Sequence, residues 1–242
     1  MDNKTIQTLI PDMYKALEEG KVKIDSDRLA RMITARLDYN KTGPALRMST
    51  LGEKCERKLW YKHNTPEKAE ALSGKTLLNF LKGDLWEEII LSIAEATPGH
   101  KVEHRQKEVE LEGVTGHIDG VIDGCLTDIK SASERGMEKF KKHNLEQDDP
   151  FGYVNQLQGY LEASQDIVEV KKEAAFLAVD KSNSALVLDK YKKKTIDWKA
   201  LISRLRAIIA EPNPPPRHYQ DVPEGKSGNR KLCMECSYCV YK

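Results

Sequence analysis

The dipeptide Asp123-Gly124 sits between two apolar-rich runs in TGHIDGVIDGCLTDIK, residues 115–130, and constrains the fold more than any other feature of the chain. Asp-Gly in that setting predicts a two-residue hairpin turn, because both central positions of the favoured turn need positive φ. With those residues at the turn the register follows. Ile122 lies opposite Cys125, Val121 opposite Leu126, Gly120 opposite Thr127, and Asp119 opposite Asp128. Opposed residues have Cβ atoms roughly 4.5–5.5 Å apart, so two carboxylates are set side by side. Alternation along the strands puts Lys130 on the face of Asp128 and His117 on the face of Asp119. Opposed like charges destabilise a sheet. A divalent cation is a natural compensation, and oxygen ligands suit magnesium or manganese. An amine beside such a cluster can activate or orient a water. The plain alternative is a solvated hairpin whose two acids happen to face each other.

Five cysteines are spread unevenly. Cys233, Cys236 and Cys239 form C-x2-C-x2-C near the end of the chain, Cys55 is far upstream, and Cys125 falls inside the hairpin. In a reducing compartment such clustering points to metal more than to disulfides. Three close thiols need a fourth ligand, and Cys55 is the best candidate. A four-cysteine site holds either an iron–sulfur cluster or a structural zinc. Pro212, Pro214, Pro215 and Pro216 stiffen the linker leading to this tail.

The chain has 242 residues, enough for one large domain or two small ones. Charged residues make up 32% and apolar ones 39%, a polar composition without the aliphatic poverty of disorder. The net charge of +1 means that any polyanion-binding surface must be a local patch. No apolar run approaches the ~20 residues of a membrane span, and the N-terminus lacks a signal peptide's pattern, so a cytoplasmic location is expected.

Residues 4–19 carry Ile6, Leu9, Ile10, Met13 and Leu17 near helical spacing, with Gly20 as the stop. A second helix starts after Ser26 or Asp27, carries Leu29, Met32, Ile33 and Leu37, and ends near Asn40 before Gly43-Pro44. Neither shows chemistry; they read as an N-terminal appendage, with a partner-binding or guiding role as the sharper alternative. Ser49 or Thr50 is set to cap a helix running to about Lys62 that carries Cys55, Arg57, Lys58 and Lys62. Residues 74–96 read as one long helix striped by Leu77, Leu78, Leu81, Leu85, Ile89 and Ile93. Gly83 interrupts it at up to ~1 kcal/mol relative to alanine, leaving room for close approach, and Glu87 and Glu88 follow one turn on. Val102 to Leu111 reads as a strand. A loop and basic helix with Lys139, Lys141 and Lys142 follows the hairpin. In the helix 151–164, Gln156 and Tyr160 are four apart and share a face; a core tyrosine beside a surface glutamine is the plain reading. Strands at 168–179 and 184–189 flank a turn near Ser182-Asn183-Ser184. A basic run, 190–194, precedes a last helix, 196–210, with Leu201, Ile202, Leu205 and Ile208 inward. The basic stretches 54–62, 139–142 and 190–194 are candidate phosphate contacts or simply solvated faces.

From about residue 47 onward, five motifs in order resemble the RecB-type branch of the PD-(D/E)XK nuclease superfamily. Within it the chain is similar to phage exonucleases and to CRISPR-associated RecB-like exonucleases with a cysteine-bound cluster. Gly83 to Glu87 resembles the first motif, a glycine followed four residues later by a metal ligand. That ligand is often histidine in the family and is Glu87 here. Gly116-His117-Ile118-Asp119-Gly120 resembles the second motif, whose aspartate binds metal. Asp128-Ile129-Lys130 resembles the D/E-x-K motif. Gln156 to Tyr160 fits the Q-x-x-x-Y helix. Cys55 to Tyr61 resembles the segment with the first cluster cysteine; the final spacing, C-x2-C-x2-C, departs from the family's C-x2-C-x5-C.

The resemblance implies an α/β fold with a restriction-endonuclease-like core, a central mixed β-sheet flanked by helices, over 46–210. Residues 1–45 would be the helical appendage, and 211–242 a linker and tail closing a cluster site with Cys55. It further implies a metal-dependent DNA exonuclease that hydrolyses phosphodiester bonds in single strands or at duplex ends. Recombination, repair or replication would be its setting, phage- or CRISPR-related, with recombination or CRISPR-adaptation proteins as partners and no membrane; a viral source would place it in the host cytoplasm. Glu87, Asp119, Asp128 and the Ile129 carbonyl would hold one or two Mg²⁺ or Mn²⁺ ions. Lys130 would orient or deprotonate the attacking water, and as a base it would need a pKa depressed by nearby metal charge. Gln156 and Tyr160 would position Lys130, a base or the backbone. Cys55, Cys233, Cys236 and Cys239 would hold a [4Fe-4S] cluster or a structural Zn²⁺. Two alternatives stay open: a nuclease-like module that binds DNA or a partner without cutting, and an RNA-directed nuclease.

Overall fold

The computed structural model describes residues 4–37, 45–237 and 239–242. It opens with four α-helices: α1 (Leu9–Glu18), α2 (Ser26–Leu37), α3 (Glu56–Asn64) and α4 (Gly74–Ala96). Five strands follow: β1 (Val102–Glu103), β2 (Glu108–Leu111), β3 (Val114–His117), β4 (Gly120–Ile122) and β5 (Cys125–Ala132). Helices α5 (Glu134–Lys141) and α6 (Tyr153–Ala163) lead to β6 (Glu173–Asp180) and β7 (Leu186–Lys192), then α7 (Trp198–Ala210). The tail holds the short strands β8 (Val222–Pro223) and β9 (Arg230–Lys231) and a single-turn helix α8 (Met234–Ser237).

The Asp-Gly turn forms as the sequence predicts. Asp123 and Gly124 take φ of 50° and 76°, and the register of β4 on β5 is Gly120↔Thr127, Val121↔Leu126 and Ile122↔Cys125. This hairpin belongs to a five-stranded sheet of order β1-β4-β5-β6-β7. The β5–β6 pairing is parallel and the others are antiparallel, so the sheet is mixed. A parallel neighbour requires a crossover, and α5 and α6 provide it. Helices cover both sides, giving the expected α/β arrangement of a central mixed sheet between helical layers. Leu126, Phe176 and Ala178 face one core together with Leu157, Tyr160 and Trp198. Cys125, Ile129 and Leu177 face a second core, where Ile6, Leu9 and Met13 pack beside Ile90, Leu91 and Ala94 of α4. No helix of the described residues is long and apolar enough to cross a membrane.

Several expectations are corrected. The strand read over Val102 to Leu111 is two strands, broken where His104 and Gln106 take φ of 55° and 54°. The break turns Arg105 inward, onto the Glu88 carboxylate and, at 2.8 Å, onto Glu95. The helix around Cys55 begins only at Glu56, with Cys55 as its N-cap, and Met48–Thr50 forms a separate 3₁₀ turn. The inward face of α4 runs along Glu88, Ile90, Leu91 and Ala94. Leu77 and Leu78 of its expected stripe are 50% and 58% exposed, because the first turns project past the sheet. A helix of 23 residues is about 35 Å long, more than this sheet can cover. Leu17 of α1 is likewise exposed. The expected end of α2 near Asn40 and the Gly43-Pro44 break lie outside the described residues.

Arg105 and Glu88 are a buried pair, their side chains 7% and 6% exposed. Removing one partner leaves the other charge uncompensated. Arg105→Met is therefore expected to cost about 3–5 kcal/mol in urea unfolding. Arg28→Ala, which breaks an exposed pair with Glu95, should cost under about 1 kcal/mol. Equal losses would show that the β1–β2 break is not pinned by charge.

Candidate active site

The geometry of the site begins where β4 ends. Asp119 precedes Gly120, the first residue of β4, so β5 loses its antiparallel neighbour beyond Thr127. Asp119 replaces it with its side chain: Oδ2 accepts the Ile129 backbone N–H at 2.7 Å. A strand residue points its N–H and C=O to the same side, so the Ile129 carbonyl also faces this open edge. Asp128 and Lys130 project together from β5, as period-two alternation requires, and their side chains form an ion pair. Asp128 Oδ2 is buried and receives no well-formed hydrogen bond, even though the Lys130 ammonium stands against it.

The other predicted residues arrive from both helical layers. Glu87 comes from α4, and its carboxylate accepts a hydrogen bond from Gln106 Nε2 at 2.6 Å. Gly83, one turn earlier, faces the Ser131 side chain, 3.5 Å from where a Cβ would stand. Gln156 and Tyr160 come from α6, and the two side chains hydrogen-bond each other. Gly116 lets Tyr160 and Met48 press in; a Cβ there would lie 2.6 Å from Met48 and 2.9 Å from the Tyr160 ring. Tyr153 was missed by the sequence reading. Its ring lies under the Lys130 ammonium, 5.1 Å from the centroid. The signal existed, because Tyr153, Gln156 and Tyr160 are spaced i, i+3, i+7 on one helix face. Gln106, which steadies Glu87, followed from no motif. His117 departs from expectation: the chain bends after β3, and His117 is exposed beside Glu108 at 3.7 Å, away from the acids.

Electrostatics tie these groups together. Burial pushes the Asp119 carboxyl well above the usual carboxylate range, and the charges of Asp128 and Glu87 push it further; Lys130 and the Ile129 N–H pull the other way. Burial alone would lower Lys130, but attraction to Asp128 and Asp119 outweighs it and holds the amine above the ordinary lysine range. Tyr160, mainly through burial and then through the Asp128 charge, is pushed up to about 12. Among the described residues no group of three or more His, Cys, Asp or Glu side chains is arranged so that it could hold a metal ion as it stands.

The basic stretches are mostly spent on internal pairs. Lys190, Lys193 and Lys194 bind Glu173, Glu162 and Glu146 at 2.7, 2.9 and 3.0 Å. Lys139 binds Asp148 at 2.7 Å, and Lys141 and Lys142 share Glu138. These pairs are partly exposed surface contacts.

At the other end of the chain, Cys55, Cys236 and Cys239 line one cavity of about 310 Å³, together with Tyr219 and Arg217. Cys233 borders it; its sulfur accepts the Cys236 N–H at 3.4 Å, and burial raises its thiol. Cys125 lies apart, buried in the sheet, its thiol pushed up to about 12 by burial. Protein contacts also hold the tail. Arg57 donates to the Pro215 carbonyl at 2.8 Å, Trp60 to the Glu211 carbonyl at 2.8 Å, and Tyr61 stacks on Tyr241 at 5.7 Å.

No family model matches the chain, and no curated protein matches its sequence. Among solved structures it is similar to SSO0001, at 15% identity and a TM-score of 0.46 over 88% of this chain and 91% of that one. It is also similar to a phage-related exonuclease from Haemophilus somnus 129PT, at 16% identity and a TM-score of 0.35 over 81% and 82%. At such distances neither likeness bears on chemistry, and the site must be read from its own residues.

A carboxyl whose folded pKa is raised contributes stability that is full below its unfolded value, near 3.8, and lost as pH rises through the folded value. Ionised Asp119 therefore strains the metal-free protein at neutral pH. Asp119→Asn keeps an acceptor for Ile129 and removes the charge. Without divalent metal at pH 8 it should melt about 2–4 °C above wild type, the equivalent of ~1 kcal/mol, with the gain shrinking toward pH 4. A lower melting temperature at pH 8 would remove the crowding account.

Proposed function

We propose that the chain is a divalent-metal-dependent deoxyribonuclease that hydrolyses phosphodiester bonds, working from strand ends. One observation carries this reading: three carboxylates, from α4, from the β3–β4 link and from β5, share one electrostatic site with a buried ammonium. Crowded acids of this kind suit hard cations with oxygen ligands. Glu87, Asp119, Asp128 and the Ile129 carbonyl are the groups that would hold Mg²⁺ or Mn²⁺. Such an ion, when bound, lowers the pKa of a water and draws charge from the phosphate.

The chain's own residues divide the remaining work. Lys130 presents a fixed ammonium toward the charge that builds on the phosphate. From that position it can orient or deprotonate the attacking water. Tyr153 supports it from below through its ring face. Tyr160 and Gln156 form a hydrogen-bonded pair beside Asp128 and keep that wall of the site in place. We further propose that Cys55, Cys233, Cys236 and Cys239 close on a [4Fe-4S] cluster or a structural Zn²⁺, the thiolate chemistry of their cavity fitting either. DNA recombination, repair or replication, in a phage or CRISPR setting and with partner proteins of those processes, is the proposed context, in the cytoplasm.

Incubating end-labelled single- and double-stranded DNA with Mg²⁺ or Mn²⁺ tests the reaction. Lys130→Ala should lower the rate at least about a hundredfold, with circular dichroism confirming the fold. Equal cleavage by wild type and variant refutes the assignment, and a preference for RNA replaces the substrate.

Anaerobic purification tests the cysteines. A brown protein with iron and sulfide, lost in Cys55→Ser, supports the cluster; a colourless one with one zinc per chain supports zinc. Four freely titratable thiols with no metal would discard both.

A further inference from the structure

Phe151 stands at the surface, 56% exposed, on a backbone that is held from two sides. Buried Asp149 accepts the Phe151 N–H at 3.3 Å and the Val154 N–H at 2.8 Å. Gly152 follows with φ +72°, packed so tightly on Gly52 that a Cβ on either residue would fall 2.1 Å from the other's carbonyl oxygen. Side chains are excluded at both glycines, and the loop is locked. The exposed ring is therefore a fixed platform.

Beside Phe151 opens a cavity of about 200 Å³ that is also lined by Ser49, Glu53, Lys58 and Lys62. Lys58 and Lys62 are one turn apart on α3, so both amines reach the same side. Glu53 is neutralised by Lys58 at 2.5 Å and accepts the Cys55 N–H at 3.1 Å. On its other side Phe151 meets Tyr153, with ring centroids 5.4 Å apart. Tyr153 in turn underlies the Lys130 ammonium at 5.1 Å. Two ring contacts thus join the acid–amine site to an aromatic ledge and a cavity with two amines.

We propose that Phe151 and this cavity form a nucleotide subsite for an unpaired strand. A base stacks on the Phe151 ring while the adjoining phosphate lies toward Lys62, at the rim of the Lys58–Glu53 pair. The inference rests on the nuclease reading and deepens it: the strand reaches the acids as single-stranded nucleic acid or as a frayed end. Stacking is tolerant of sequence, because every base has a π-face.

Fluorescence anisotropy of the full chain, without added Mg²⁺ or Mn²⁺, tests it. The probes are a labelled oligothymidylate, a blunt duplex and a sugar–phosphate strand lacking bases. Wild type should favour the oligothymidylate. Phe151→Ala should weaken that binding about tenfold yet bind the base-free strand as wild type does. Phe151→Trp should restore affinity, with its fluorescence quenched as strand is added. Lys62→Ala should weaken both strands and lower the slope of log affinity against log salt by about one. Unchanged binding by Phe151→Ala, an equal loss on the base-free strand, or tighter binding of the blunt duplex overturns the subsite. Cleavage with Mn²⁺ is read separately. Base-dependent binding without cleavage sinks the nuclease and leaves the subsite; cleavage with no loss in Phe151→Ala does the reverse.

Discussion

A strand that starts two residues short of Ile129's position governs this molecule. Because β4 begins only at Gly120, the β5 edge at Ile129 has no backbone partner on that side. A buried N–H without an acceptor is costly, and the Asp119 carboxylate supplies the acceptor. One missing ladder bond thus draws an acid to the sheet edge, beside the acid that alternation has already placed at Asp128. The crowding of negative charge follows from backbone geometry and not from chance proximity on a surface.

That crowding persists only because the surroundings over-determine it. On one side β5 is fixed by seven parallel pairs with β6, from Leu126↔Ala174 to Ala132↔Asp180. Small alanines on β6 let both helical layers come close. On the α6 side, Gly116 admits Met48 and Tyr160 to direct contact. On the α4 side, buried Arg105 turns in to neutralise Glu88, the neighbour of Glu87. Glu88 is thus paired inside the protein, while the charge of Glu87 acts on Asp119 together with that of Asp128.

How much of this could be read from the chain follows from the range of each signal. The Asp-Gly turn, its register and the span of α4 were legible because turn chemistry and caps act over a few residues. Asp128, Lys130, Gln156 and Tyr160 were legible because their spacing fixes a shared face. The break at Arg105 was not, since its cause is a charge on a helix ten or more residues away. The same holds for the exposed Leu77 and Leu78, whose fate depends on how far the sheet extends beneath α4. The ion pairs of the basic runs were hidden for a related reason: a lysine's sequence neighbours do not reveal the glutamate that meets it across a strand.

Helix α3 connects the two ends of the argument. Its N-cap is Cys55, its sides are tied to α7 and the tail through Trp60, Asn64 and Arg57, and its Lys58 lines both the cysteine cavity and the cavity beside Phe151. A helix of nine residues is marginal alone, so its position is set by what holds its ends. The tail supplies much of that hold. The tail residues Pro215 and Tyr241 contact α3 through Arg57 and Tyr61. The linker prolines assist by limiting the conformations the tail can take before it closes.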